Sequence, residues 1–135
     1  MSEDIRIQPI GVIRTSLRKQ DEAPRQGSEA LVEGKLVLDE RYCDALKGLE
    51  PGQRVVILYW LDRAERDRLQ VHPRNDRSRP LKGVFATRSP HRPNPIAVDV
   101  VELMGIQGTT LLVRGLDALD NTPLLDIKSE LLQRG

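Results

Sequence analysis

The run GVFATRSPHRPNPIAV, Gly83 to Val98, concentrates side chains able to bind and polarise a ligand. Arg88, Ser89, His91, Arg92 and Asn94 offer two guanidinium forks, a hydroxyl, an imidazole and an amide. They are interleaved with Pro90, Pro93 and Pro95, each of which fixes its own φ and pushes the residue before it out of the helical region. Ser89, Arg92 and Asn94 are therefore held extended or in turns, and little backbone freedom is left to lose when a ligand binds. Guanidinium forks suit phosphates, carboxylates and nucleobases. The plainer alternative is a rigid strand connector whose arginines cap carbonyls or pair with acids. A connector, however, needs one or two such residues rather than this density.

A second constellation spans Gly115 to Lys128 and carries Asp117, Asp120, Asp126 and Lys128 around a tight turn. Asp120-Asn121 is turn chemistry, because asparagine tolerates a left-handed φ. On the strand that follows, Asp126 and Lys128 share one face while Leu125 and Ile127 point the other way. Such a pair is either an exposed ion pair or a carboxylate placed to meet a cation or accept a proton. Other chemistries find little support. His72 and His91 lack metal-ligand spacing and have no cysteine partner, so no metal site is expected. The single cysteine, Cys43, has no CxxC or histidine neighbour and is expected to pack on a short helix. The chain has no GxGxxG, GxxxxGK[ST] or GxSxG motif. Phe85, Tyr42, Tyr59 and Trp60 are its only aromatic residues, so exposed stacking platforms are not expected.

The formal net charge of +1 is uninformative, but its distribution is not. From Arg54 to Arg92 there are ten basic residues, nine of them arginine, against Asp62, Glu65, Asp67 and Asp76. That middle third could meet nucleic acid. It could equally be a solvated loop that pairs with itself, since signs alternate through Asp62-Arg63 and Glu65-Arg66-Asp67-Arg68.

The elements that must position these groups are mostly strands. Strand signals cover Ile5 to Ile7 with Ile10 to Thr15, disturbed by Pro9 and Gly11. They recur at Leu31 to Leu38, where Gly34 suggests a bulge or bend. Asp39 can cap a short helix, Glu40 to Leu46, burying Tyr42, Ala45, Leu46 and Leu49. Gly48 and Pro51-Gly52 turn the chain. Val55 to Leu61 is continuously apolar and reads as a strand buried on both faces. Asp62 to Lys82 reads as a long charged loop, and a loop of that length is usually functional or mobile. Strands resume at Gly83 to Thr87, Ile96 to Met104, Thr110 to Arg114, with a turn at Gln107-Gly108, and Leu124 to Lys128. The 135 residues suit one domain, residues 1–135. Short strands without long crossover helices predict an all-β fold, a small antiparallel closed or nearly closed barrel with one short helix. The charged start MSEDIRIQPI and the absence of any long apolar run predict no signal peptide and no membrane contact, hence a cytoplasmic protein.

These segments together resemble the TsaA-like domain family, known for TrmO-type tRNA methyltransferases. The resemblance runs through Pro9-Ile10-Gly11-Val12-Ile13-Arg14-Thr15, Ala23-Pro24-Arg25-Gln26-Gly27, Val56 to Trp60, Gly83 to Ile96, Gly115-Leu116-Asp117 and Asp120 to Lys128. It is most specific in RSPHRPNPI. It implies a small barrel that binds S-adenosylmethionine, commonly as a homodimer with cofactor sites near the interface. In the TrmO type the methyl goes to N6 of threonylcarbamoyladenosine, next to the anticodon in the tRNA anticodon stem-loop. Residues matching the cofactor-contacting motifs are Pro24, Arg25, Gln26, Gly27, Asp62, Arg63, Arg88, Asp120, Asn121, Thr122 and Pro123. Asp62 stands where many members have histidine, Asn121 where many have glycine, and Ser129-Glu130 where many have Pro-Tyr. Asp126 is the candidate base, with Lys128, Arg88 or Arg92 as charge stabilisers and His91 as a weaker base candidate. The alternatives are a small-molecule methyltransferase using the same cofactor, or a non-catalytic barrel that binds S-adenosylmethionine or RNA.

Overall fold

The computed structural model describes residues 4–17 and 31–130. The chain forms two compact units, Met1–Tyr59 with Val98–Gly135, and Trp60–Ala97.

The first unit is built on a closed barrel. Its strands are β1 (Gly11–Thr15), β2 (Glu33–Leu38), β3 (Arg54–Trp60), β6 (Ile96–Gln107), β7 (Thr110–Arg114) and β8 (Thr122–Ser129), in the order β1-β2-β7-β6-β3-β8. The recorded pairings are antiparallel, as strands joined by short turns require. Each strand contributes a residue at 0% exposure, namely Ile13, Leu36, Ile57, Leu103, Leu111 and Leu124. Burying a side chain of this size contributes about 1.5–3 kcal/mol, so the core is distributed evenly around the ring. The expected all-β barrel with one short helix is what forms. Asp39 accepts a hydrogen bond from the Arg41 amide (3.0 Å) at the start of that helix. The helix is a 3-10 helix over Glu40–Leu46, and Ala45 and Cys43 lie exposed on it rather than buried. A helix of two turns covers only a narrow stripe, which Tyr42 and Leu46 take up.

Several expectations are corrected. Gly34 makes no bulge; it sits in register opposite Thr15. A Cβ there would lie 2.5 Å from the Arg14 carbonyl oxygen and 2.5 Å from a Leu116 methyl, so the glycine allows close approach instead. Ile5 and Ile7 are exposed, and β1 begins only at Gly11. β3 is buried on one face only: Val55, Ile57 and Tyr59 are buried, while Val56, Leu58 and Trp60 are half-buried. A barrel wall has one inner and one outer face, and the apolar run hid that alternation. β6 runs on to Gln107 past a register shift between Leu103 and Gly105.

The second unit holds the charged segment, which is less irregular than its composition suggests. β4 (Gln70–Val71) and β5 (Lys82–Gly83) pair as a hairpin. Between them Arg74 and Asn75 adopt left-handed φ of 55° and 59°. The expected strand from Gly83 to Thr87 does not continue; after β5 the chain enters a 3-10 turn, Val84–Ala86, anchored by buried Val84. The Thr87 hydroxyl donates to the Val84 carbonyl (2.9 Å) and stops the strand.

Candidate functional site

The proline loop is braced from within. The Ser89 amide donates to the Thr87 hydroxyl (3.1 Å) and the His91 amide to the Ser89 hydroxyl (3.2 Å). Arg92 turns inward and donates through Nη1 to the carbonyls of Ser89 (2.9 Å) and Thr87 (3.3 Å). It therefore caps carbonyls, as the plainer reading of the loop proposed for an arginine. The imidazole Nδ1 of His91 accepts the Glu65 amide (3.0 Å). That bond leaves Nδ1 an acceptor, so any ring proton sits on Nε2.

One bracing residue had no obvious sequence signal. Arg66 donates through Nε to the Pro93 carbonyl (2.7 Å) and through Nη2 to Asn94 Oδ1 (3.2 Å). Its guanidinium lies over the Trp60 ring, 5.3 Å from the centroid. The alternating Glu65-Arg66-Asp67-Arg68 run is thus only partly self-paired: Arg68 bonds Glu65, but Arg66 latches the loop. The Leu61 amide completes the latch by donating to the Pro95 carbonyl (2.8 Å).

Arg88 differs from these. It is exposed, and among the described residues it makes no hydrogen bond or ion pair; the same holds for Asp62 and Arg63. An exposed guanidinium without a partner on a braced backbone keeps its full hydrogen-bonding capacity. Pro24, Arg25, Gln26 and Gly27 lie outside the described residues.

The first unit places the remaining candidates. Asp120 is 7% exposed. Its Oδ1 accepts the Thr15 amide (3.0 Å) and pairs with Arg14 Nε (3.2 Å). Asn121 adopts a φ of 69°, the left-handed conformation anticipated for the turn. Its Oδ1 accepts Arg14 Nη1 (2.6 Å), while its amide donates to the Ile13 carbonyl (2.8 Å). The Thr122 hydroxyl donates to the Leu119 carbonyl (2.6 Å), and Pro123 enters β8 opposite Val12. These side chains hold the turn to β1, so the turn can offer a ligand its shape and backbone more readily than the Asp120 carboxylate.

Asp126 and Lys128 do share a face, with Lys128 Nζ 3.4 Å from Asp126 Oδ2. Asp126 Oδ1 accepts the Ile127 amide (2.8 Å). A register shift lies beside them: Leu58 opposes Asp126, but Tyr59 opposes Leu124, leaving Leu125 as the extra residue. Bulges of this kind re-aim side chains and are common next to active sites.

A titratable group that the sequence did not single out lies at Tyr59. Burial holds its hydroxyl protonated well above the ordinary tyrosine range, and the carboxylates of Asp99 and Asp117 push in the same direction. Burial also raises the Asp117 carboxyl above the usual aspartate value. No period or motif links these three positions; only the folded chain gathers them. Among the described residues, no three His, Cys, Asp or Glu side chains cluster so as to hold a metal ion. Among the described residues, no helix is long and apolar enough to cross a membrane.

The chain is similar to proteins of this architecture. An Archaeoglobus fulgidus protein described as an S-adenosyl-L-methionine-binding protein is 42% identical over 90% of this chain and 86% of its own length. A Methanothermobacter thermautotrophicus relative is 46% identical over 93% of this chain and 89% of its own length. The crystal structure of TrmO from Pseudomonas aeruginosa superposes with a TM-score of 0.78 at 35% identity, covering 96% of this chain. This chain spans 57% of that longer protein. The model of the tRNA-methyltransferase O N-terminal domain matches residues 12–132, and the chain belongs to that family.

Proposed function

We propose that this protein transfers a methyl group from S-adenosylmethionine to N6 of threonylcarbamoyladenosine beside the tRNA anticodon, acting in the cytoplasm as a homodimer. The observation that carries this reading is Arg88, an exposed and unpartnered guanidinium on a braced loop, in a chain 35% identical to a solved TrmO. Relatives of nearly the same length are described as binding S-adenosylmethionine, which supports the choice of cofactor.

The residues present fit such a cofactor. Arg88 can take a carboxylate through a fork of hydrogen bonds, and the unpartnered Asp62 carboxylate can take hydroxyls or an ammonium. In the other unit, Arg14 fixes the Asn121–Pro123 turn. S-adenosylmethionine supplies a methyl group carried on a positively charged sulfur. The protein's task is to align that methyl with the acceptor, and positioning alone can remove a large part of the barrier. The acceptor nitrogen is urea-like and a poor nucleophile while its lone pair is delocalised. Asp126 would accept its proton and become neutral, and Lys128, whose Nζ lies 3.4 Å from Asp126 Oδ2, would stabilise the negative charge developing on the acceptor nitrogen until the methyl arrives. Arg92 and His91 serve by bracing, since Arg92 Nη1 holds the loop carbonyls and His91 Nδ1 accepts the Glu65 amide.

The residues Trp60–Ala97 include nine basic and four acidic side chains, a formal +5, which supports a polyanionic substrate. Calorimetric titration with S-adenosylmethionine, followed by mass spectrometry of tRNA bearing threonylcarbamoyladenosine, tests the proposal. Saturable binding and a mass gain of one methyl on that nucleoside are expected, with tRNA affinity falling steeply as salt rises. Binding without transfer to tRNA would leave a small-molecule methyltransferase or a non-catalytic barrel. No binding by folded protein would end the methyltransferase reading.

A further inference from the structure

We propose that Phe85 is a stacking platform for an unpaired RNA base, with Lys82 taking a flanking phosphate; this rests on the RNA-directed reading above. Phe85 is the chain's single phenylalanine, and it is 79% exposed. Its exposure is built in. Val84, its neighbour, is buried; the Val84 amide donates to the Leu69 carbonyl (2.9 Å), and the Val84 carbonyl accepts the Thr87 hydroxyl (2.9 Å) and the Thr87 amide (3.1 Å). The tight turn is thus pinned on both sides, and its middle residue is held outward. Leu69, 66% exposed, and Leu81, 52% exposed, flank the same hairpin.

Charge identifies the occupant. Lys82, three residues before Phe85, has no side-chain partner among the described residues. An aromatic face beside an unspent cation suits a nucleobase and its phosphate, because every base has a π-face and every linkage an anion. A second copy of this chain suits it poorly. A two-fold contact would bring the same +5 segment against itself. A bent anticodon loop presents unstacked bases, whereas a duplex hides them.

The test compares full-length wild type, Phe85→Leu, Phe85→Trp and Lys82→Ala. The probes are a tRNA anticodon stem-loop RNA and an RNA duplex of equal charge, with sedimentation velocity run on the same samples. Phe85→Leu keeps the apolar bulk and removes the aromatic face. It is expected to weaken stem-loop binding about tenfold with duplex binding unchanged, while Phe85→Trp binds at least as well as wild type. Lys82→Ala should weaken both probes alike and lower the salt slope by about one. Stem-loop binding by Phe85→Leu equal to wild type overturns the role of Phe85 and leaves the methyltransferase reading untouched. A change in oligomeric state without a change in RNA affinity assigns the patch to contact between copies and also overturns it. Wild type that binds neither RNA overturns the RNA-directed reading, and this inference with it. Phe85 is largely in solvent, so the variants should melt with wild type.

Discussion

The proline loop and the Asp120–Pro123 turn are built from similar materials and use them differently. In the turn every polar side chain is engaged: Asp120 with Thr15 and Arg14, Asn121 with Arg14, Thr122 with Leu119. In the loop Arg92, His91 and Asn94 are engaged too, but Arg88 is not. Two arginines four positions apart thus have opposite fates. Satisfied groups brace a backbone, and the group left over on that braced backbone is the one available to a ligand.

The largest effect should come from the turn. Asp120→Ala leaves the Thr15 amide without its acceptor and Arg14 without its carboxylate. We expect a loss of about 2–3 kcal/mol in urea denaturation, where breaking a partly buried charged network falls. If Asp120→Ala melts with wild type, the division between bracing and binding residues fails at its clearest point. Arg88→Ala should do the reverse. Calorimetry should show S-adenosylmethionine affinity down roughly tenfold or more, from the loss of charge-assisted hydrogen bonds. Its urea midpoint should stay within about 0.5 kcal/mol of wild type, as for exposed positions generally.

Asn121 sharpens the same contrast. Asn121→Ala should cost about 1–2 kcal/mol, since alanine is strained at a φ of 69° and cannot accept from Arg14. Asn121→Gly should recover most of that by relieving the strain. A glycine variant as unstable as the alanine one would assign the whole effect to the Arg14 bond. The smallest effect concerns pH. Burial raises the Asp117 carboxyl in the folded state, so the folded protein binds more protons than the unfolded chain just above the ordinary aspartate value. Stability should therefore fall slightly as pH rises through that window, and Asp117→Asn should flatten the slope.

Strand alternation, glycine and proline turns and the Asp39 cap made most of the barrel readable, because they act within a few residues. The failures have a common origin. Val55 to Leu61 reads as doubly buried because side-chain hydrophobicity cannot say which face of a wall meets the core. Gly83 to Thr87 reads as a strand because β-prone residues precede a turn set by one threonine hydroxyl and a buried valine. Phe85 falls inside that expected strand, yet it is 79% exposed.

The candidate site divides along the same line. Composition and proline spacing by themselves determine that Ser89 to Pro95 is stiff and cation-rich, because proline's ring constrains φ wherever it stands. They cannot determine which cations remain available. Arg14 is committed to Asn121, 107 positions away, and Arg66 to Asn94, 28 positions away. Such partners meet only when the chain has folded, and an arginine's role depends on whether a partner has already reached it.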